Sequence, residues 1–400
     1  MKINTDPKKI EELLTRGVEN IYPNKEFLQK KLLSGERQTI YLGIDPTGPT
    51  LHMGHAVVLK KLRDLQNLGH KIILLIGDFT AMIGDPDKLS VRKPLTRKEV
   101  LNNAKDYKKQ ATRFLKFGFG GAKFRYNSKW LAKLSFAELL KLSSYITYAQ
   151  LIKRSMFQER IKQERDIYFN EFMYPIMQGY DSVEMDVDGE IGGNDQTFNM
   201  LVGRDLLKKM KDKEKFVIAT KLLEDPNGLK MGKTTGNMIT LKDSGSEMFG
   251  KVMSWTDSMI IPGFEIGTDV PMEEIEKIKQ DLLSGVNPRD IKVRLAKEIV
   301  TIYHSQEEAD KAEENFVKTF KEGGLPEEID EVNAINGEAL SDISVRANLV
   351  KSKGEFRRLV LAGAVSQAEI NDKITDPNYK VIATTIFKIG KRRFLKVIIN

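Results

Sequence analysis

The stretch from Thr39 to Phe79 constrains the fold more than any other part of the chain. TIYLGID (Thr39 to Asp45) is an apolar run of strand character, a Pro/Gly/Thr turn follows, and a helical pattern runs from about Leu51 to Leu68 before Gly69 closes it. KIILLIGDF (Lys71 to Phe79) is the next apolar run. Strand, helix and strand in so short a span describe a βαβ unit, which requires a parallel sheet with helices on its faces. The expected class is therefore α/β, opening as a doubly wound, Rossmann-like sheet.

At 400 residues the chain exceeds what one hydrophobic core usually organises, so smaller domains are expected beside the sheet. Asp6 as N-cap, Pro7 at the first helical position and the periodic Ile10, Leu13 and Leu14 predict a helix within an N-terminal helical segment over 1–37. The α/β domain is expected over 38–245. It includes capping boxes at Thr96 with Glu99 and Ser135 with Glu138, and a later strand in KFVIATKLL (Lys215 to Leu223). The pattern from 246 to 323 is all-helical, with Asn287 and Pro288 opening one helix and Ser305 with Glu308 another. An acidic, Gly/Pro-bearing stretch over 324–338 reads as a linker. A last module over 339–400 is expected to be a small α+β domain, with a helix from Ser352 to Ala362 ended by Gly363 and β-rich sequence after it.

Composition narrows the function classes. The chain has 40% hydrophobic and 30% charged residues, as a folded soluble protein does. With no cysteine there is no disulfide framework, thiolate metal site or cysteine nucleophile, which suits a reducing, cytoplasmic setting. The N-terminus has no apolar central region and no run approaches a membrane span, so neither secretion nor a membrane is expected. The net charge is +8, and the last 60 residues hold 12 Lys or Arg against 5 Asp or Glu, a surplus of +7. So uneven a distribution points to a polyanion-binding tail.

Two short motifs carry the chemistry. PTGPTLHMGH (Pro46 to His55) lies between a strand and a helix start, where free amides and the macrodipole favour anions. His52 and His55 share one side of the first turn and can donate to phosphate oxygens, and Gly54 admits a nucleotide close to the backbone. Taken alone, the same His pair also fits a metal site or two surface residues. LKMGKTTGN (Leu229 to Asn237) places Lys230 and Lys233 in a Gly/Thr-rich loop, where they can neutralise a triphosphate or stand simply as solvated charges. It is not a P-loop, because the G-x-x-x-x-G-K-[ST] spacing is absent.

Together and in this order, HMGH and KMGKT resemble the HIGH and KMSKS signatures of the class I aminoacyl-tRNA synthetases, with Lys230, Lys233 and the Thr234 hydroxyl kept. GDFTAMIGDP around Asp85, YPIMQGYDS (Tyr174 to Ser182) and EIGGNDQTFN (Glu190 to Asn199) are similar to segments of the tyrosyl-tRNA synthetases of the bacterial branch. Tyr174, Gln178 and Asp181 fall on one helical face by spacing alone. The resemblance implies that Tyr174, Gln178 and Asp85 meet the ammonium group of tyrosine, that Tyr41 and Asp181 meet its phenolic hydroxyl, and that Gln196 helps orient it. Asp45 and Thr47 would flank the ATP, beside His52, Gly54, His55, Lys230 and Lys233.

The 246–323 helices would be the anticodon-side domain. NLVKSKGEFRRLVLAGAV (Asn348 to Val365) resembles the S-four type of RNA-binding module, with Lys351, Lys353, Arg357 and Arg358 offered to phosphates. The resemblance further implies tyrosine, ATP with Mg²⁺ on its triphosphate, and tRNA(Tyr) as ligands, a homodimer, and no structural metal. A tryptophan-specific relative and a synthetase-derived RNA-binding protein without aminoacylation are the alternatives.

Overall fold

A computed structural model of the chain describes residues 3–84, 95–224, 238–321, 329–368, 370, 372–390 and 393–399. It divides into two compact units, Met1–Gln306 and Glu307–Asn400.

The first unit is built on six strands: β1 (Val18–Tyr22), β2 (Thr39–Ile44), β3 (Lys71–Ile76), β4 (Lys123–Tyr126), β5 (Gly189–Gly193) and β6 (Phe216–Thr220). They lie in the order β1-β6-β5-β2-β3-β4, with β2 to β6 parallel and β1 antiparallel along β6. From β2 the chain winds first to one side, through β3 and β4, and then returns to the other, through β5 and β6. The winding therefore reverses between β2 and β5. In β6 every residue is buried, and in β3 all but Lys71, because helices cover both sheet faces.

The βαβ unit forms as expected. Helix α1 spans Pro7–Thr15, α2 Lys25–Leu33 and α3 Met53–Asn67. Gly69, at φ +98°, then turns the chain from α3 into β3, a conformation that costs glycine nothing. Asp6 caps α1 by accepting from the amides of Lys8 and Lys9. The 1–37 segment is not wholly helical, however, since β1 extends the sheet between α1 and α2. In VENIY, Glu19 and Asn20 are exposed, so the residues show neither an apolar run nor a clean alternation.

The helices 245–253, 260–267, 272–283 and 288–303 belong to the same compact unit as the sheet, so the packing divides at 306/307 and not at 245/246. Two cations, partly buried Arg16 and buried Lys60, stitch the two regions together. Arg16 donates to the carbonyls of Phe264 (3.3 Å) and Thr268 (2.7 Å), and the Lys60 ammonium donates to Thr268 as well.

The second unit holds a five-stranded sheet made of 330–334, 365–367, 372–373, 385–389 and 393–399. It packs on the helices Leu340–Arg346 and Lys353–Leu361 around Leu340, Ile343, Phe356, Val365, Phe387 and Leu395. The 324–338 segment read as a linker contains the strand Asp330–Ala334, parallel to 395–399. Its sequence, DEVNA, leaves only Val332 and Ala334 to mark an edge strand, too little for the residues to declare it.

Candidate active site

A cavity of about 310 Å³ opens where the sheet reverses its winding, at the carboxyl ends of β2, β5 and β6 and against the start of α3. It is lined by Tyr41, Asp45, Thr47, His52, Gly54, His55, Tyr174, Gln178, Asp181 and Gln196, all singled out from the sequence. Asp85, Lys230, Lys233 and Thr234 lie outside the described residues. The residues next to the lysine-bearing loop do line the cavity: Leu222 and Leu223 on one flank, Met238 and Ile239 on the other. The second flank is held at the helix start, with the Met53 amide donating to the Ile239 carbonyl at 2.9 Å and the Leu241 amide to the Leu51 carbonyl at 2.9 Å.

The helix Phe169–Met185 presents Tyr174, Gln178 and Asp181 to the cavity, and each meets a partner from another element. The Tyr174 hydroxyl donates to Asp45 Oδ2 (2.9 Å), and Thr80 Oγ1 donates to Asp45 Oδ1 (2.7 Å). Buried Asn127 spends both of its amide protons here, one on Thr80 Oγ1 (3.1 Å) and one on Asp181 Oδ2 (3.2 Å), while its oxygen accepts from the Phe79 amide (2.9 Å). The Trp130 indole donates to Asp181 Oδ1 at 2.7 Å. This network has Gly77 at its centre, where an added Cβ would stand 1.9 Å from Asp45 Oδ1 and 2.4 Å from Thr80 Oγ1. A glycine is required by that close approach.

A second buried network lies beneath the first. The Lys215 ammonium, fully buried at the head of β6, donates to Glu190 Oε2 and to Ser182 Oγ (2.9 Å). Glu190 Oε1 accepts from Gln178 Nε2 (3.2 Å), and Ser182 Oγ lies 2.9 Å from the Tyr41 hydroxyl. Burial pushes the Tyr41 hydroxyl well above its ordinary pKa, and the negative charges of Glu190 and Asp181 push it further, so it remains a protonated phenol. Burial likewise raises the Asp181 carboxyl, against the downward pull of the Trp130 and Asn127 donors.

At the other end of the cavity, His52 is the N-cap of α3 and its backbone amide donates to His55 Nδ1 at 3.2 Å. The two rings pack 3.9 Å apart. Because His55 Nδ1 accepts, the proton of the neutral ring sits on Nε2, which makes His55 a donor at the positive end of the helix.

The sequence did not single out Asn127 or Trp130, and Thr80, Ser182, Lys215 and Glu190 entered only as letters within GDFTAMIGDP, YPIMQGYDS, KFVIATKLL and EIGGNDQTFN, with no role assigned. A lone acid between glycines in a strand was the one available signal for Glu190; the others are partners brought together by the sheet.

A family model described as class I tRNA synthetases (W and Y) matches residues 33–321. The chain belongs to that family. This synthetase is 45% identical over 406 residues to the "Tyrosine--tRNA ligase" of Carboxydothermus hydrogenoformans, covering 97% of each chain. It is 41% identical over 390 residues to "Tyrosine--tRNA ligase 2" of Vibrio cholerae, covering 97% of this chain and 98% of the other. Among solved structures it is similar to a C-terminally truncated Aspergillus nidulans mitochondrial tyrosyl-tRNA synthetase, with a TM-score of 0.65 at 23% identity over 78% of this chain and 94% of that one. The Archaeoglobus fulgidus tyrosyl-tRNA synthetase complexed with L-tyrosine gives a TM-score of 0.60 at 23% identity, over 77% of this chain and 100% of that one. These likenesses establish the synthetase fold.

In the second unit Lys351, Lys353, Arg357 and Arg358 are all exposed, on and just before the helix Lys353–Leu361. That helix buries Phe356 and Val360 and so turns its two arginines outward. Lys353 is paired with Asp342 at 2.5 Å. No described helix is long and apolar enough to cross a membrane.

Proposed function

We propose that this synthetase activates L-tyrosine with ATP and transfers it to tRNA(Tyr), releasing AMP and pyrophosphate. The observation that carries the reading is the polarity of the cavity. One end offers a buried phenol and a buried carboxylate, and the other a histidine pair at a helix start. A phenolic hydroxyl both donates and accepts, so Tyr41 as donor and Asp181 as acceptor complete it; phenylalanine would leave both without a ligand partner. Glu190 only accepts, so Gln178 must turn its NH₂ toward Glu190, which leaves the amide oxygen suited to the substrate ammonium, with Tyr174 and Asp85.

The chemistry needs no protein nucleophile. The tyrosine carboxylate oxygen attacks the α-phosphorus of ATP, the bond to the bridging oxygen breaks, and pyrophosphate leaves. ATP enters as its magnesium complex. Asp45, Thr47 and Gly54 position the nucleotide, while His52, His55, Lys230 and Lys233, with the Thr234 hydroxyl, meet the charge that builds on the phosphates. Catalysis is then positioning and electrostatic stabilisation. In the second step the terminal ribose hydroxyl of the tRNA attacks the carbonyl of tyrosyl-adenylate, and AMP leaves. Lys351, Lys353, Arg357 and Arg358 hold the tRNA through phosphate contacts.

We assign the 38–245 region to catalysis, the 246–323 helices to the anticodon side and 339–400 to RNA binding. Partnering in a homodimer is supported by an exposed aromatic patch. Phe169 and Tyr148 are 78% and 67% exposed, and both lie against Phe172 in ring contacts of 6.4 and 6.1 Å. A cytoplasmic location is consistent with the cysteine-free sequence.

The decisive measurement is ATP–pyrophosphate exchange with tyrosine, tryptophan and phenylalanine offered in parallel. Exchange driven by tyrosine alone is expected. Exchange driven by tryptophan would overturn the specificity, and none at all, with RNA still bound, would overturn the enzyme reading.

A further inference from the structure

The lysine beneath the cavity has no part in the two-step chemistry, yet its charge is fully buried against Glu190, which lines the cavity. Lys215 has no exposed surface, and its ammonium lies between Glu190 and Ser182 and 5.8 Å from the centre of the Tyr41 ring. The space it occupies is kept open by Gly203, where an added Cβ would stand 2.7 Å from Lys215 Nζ and 2.8 Å from Ser182 Oγ. A buried ammonium so accommodated needs a role, because burying an ion pair is seldom the cheapest way to fill a core.

An ammonium has donors and no acceptor, so at Ser182 Oγ the lysine must donate. A hydroxyl that accepts from a cation becomes a stronger donor and a weaker acceptor, since hydrogen bonds in series polarise one another. Its own proton is therefore directed to the Tyr41 oxygen 2.9 Å away, which leaves the Tyr41 proton to be shared between Glu190, its other acceptor, and a ligand in the cavity. We propose that Lys215, acting through Ser182, is a positioning residue that fixes Tyr41 as a hydrogen-bond donor to the phenolic oxygen of the amino-acid substrate. This rests on the tyrosine reading above and deepens it. The bonds then run one way: Lys215 to Ser182, Ser182 to Tyr41, Tyr41 to the substrate oxygen, and the substrate hydroxyl to Asp181. Burial holds Tyr41 protonated, so its proton is available throughout the working pH range. Glu190 balances the lysine charge and at the same time orients Gln178, tying the two ends of the amino acid to one buried pair.

The test compares tyrosine with phenylalanine, which lacks the hydroxyl that the relay serves. In ATP–pyrophosphate exchange at high enzyme concentration, Ser182→Ala is expected to lower the ratio of kcat/KM for tyrosine to that for phenylalanine by about tenfold, the worth of one buried polar contact. The KM for ATP should stay put. The paired variant Lys215→Met/Glu190→Gln removes the charges together, avoids leaving a lone buried ion, and should lower the ratio similarly. Damage to the fold would depress both amino acids in parallel and keep the ratio. A constant ratio in a Ser182→Ala protein that still uses tyrosine overturns the relay and leaves the tyrosine reading standing. An unaltered protein that fails to use tyrosine overturns both.

Discussion

His55 illustrates what a single side chain is asked to do. Its Nδ1 accepts from the His52 amide, which in the neutral ring leaves Nε2 as the donor at the helix start. His55→Ala should slow tyrosyl-adenylate formation by about 10²-fold, the usual effect of removing one aligned donor to developing charge. Far-UV circular dichroism should not change; rapid-quench rates equal to those of the unaltered protein would remove His55 from the site. Glu190 makes the opposite point. Its replacement by alanine strands the Lys215 ammonium in a dry interior, a defect of about 3–5 kcal/mol. The midpoint of urea unfolding should fall accordingly and should recover largely in Lys215→Met/Glu190→Gln. Neither residue was conspicuous in the sequence, where Lys215 reads as the polar start of a strand and Glu190 as one acid among glycines.

Elements join where the chain turns from α3 into β3, and there His70 is buried with Nδ1 accepting from the Gln38 amide at 3.2 Å. Its Nε2 has no partner among the described residues. Burial, and then the charge of Arg37, lower its pKa from 6.5 to about 4. The unfolded chain therefore binds the proton first as pH falls. The stabilisation is complete above about 6.5 and is lost progressively between there and about 4. The melting temperature should fall with acid across that window, and His70→Gln should flatten that dependence; an unchanged profile would mean that the imidazole is not neutral in the fold. The same junction shows why the central elements were legible. β2, α3 and β3 are long, apolar and bounded by Gly69, whereas β1, with no fully buried residue, and the strand 330–334, with only Ala334 buried, are edge strands that set no period.

At the scale of the whole molecule the division at 306/307 separates two sets of contacts. Ending the chain at Lys321 should preserve tyrosine-dependent exchange and abolish tRNA charging, because every described residue that lines the cavity lies in the first unit. Loss of exchange on truncation would show that the second unit supports the cavity. For the intact chain, tRNA affinity should fall steeply with salt as phosphate-bound cations are displaced, and Arg357→Ala/Arg358→Ala should make that dependence shallower. The aromatic patch around Phe172 predicts association. Phe169→Glu is expected to shift sedimentation toward the monomer, and an unchanged sedimentation coefficient would overturn association through this patch.

By itself the sequence determined the sheet class, the cavity-facing helix and many of the residues that line the cavity, because periodicity, caps and short motifs are local and survive without a fold. It also carried the uneven charge that marks the tail. What only tertiary structure decided was partnership. Asn127 joins Thr80 to Asp181, Lys215 reaches Ser182 and Glu190, and Arg16 and Lys60 fasten the helices after residue 245 to the first strands and helices. Such contacts link residues far apart in the chain and leave no period behind, so they can be seen only once the sheet has brought them within a hydrogen bond of one another.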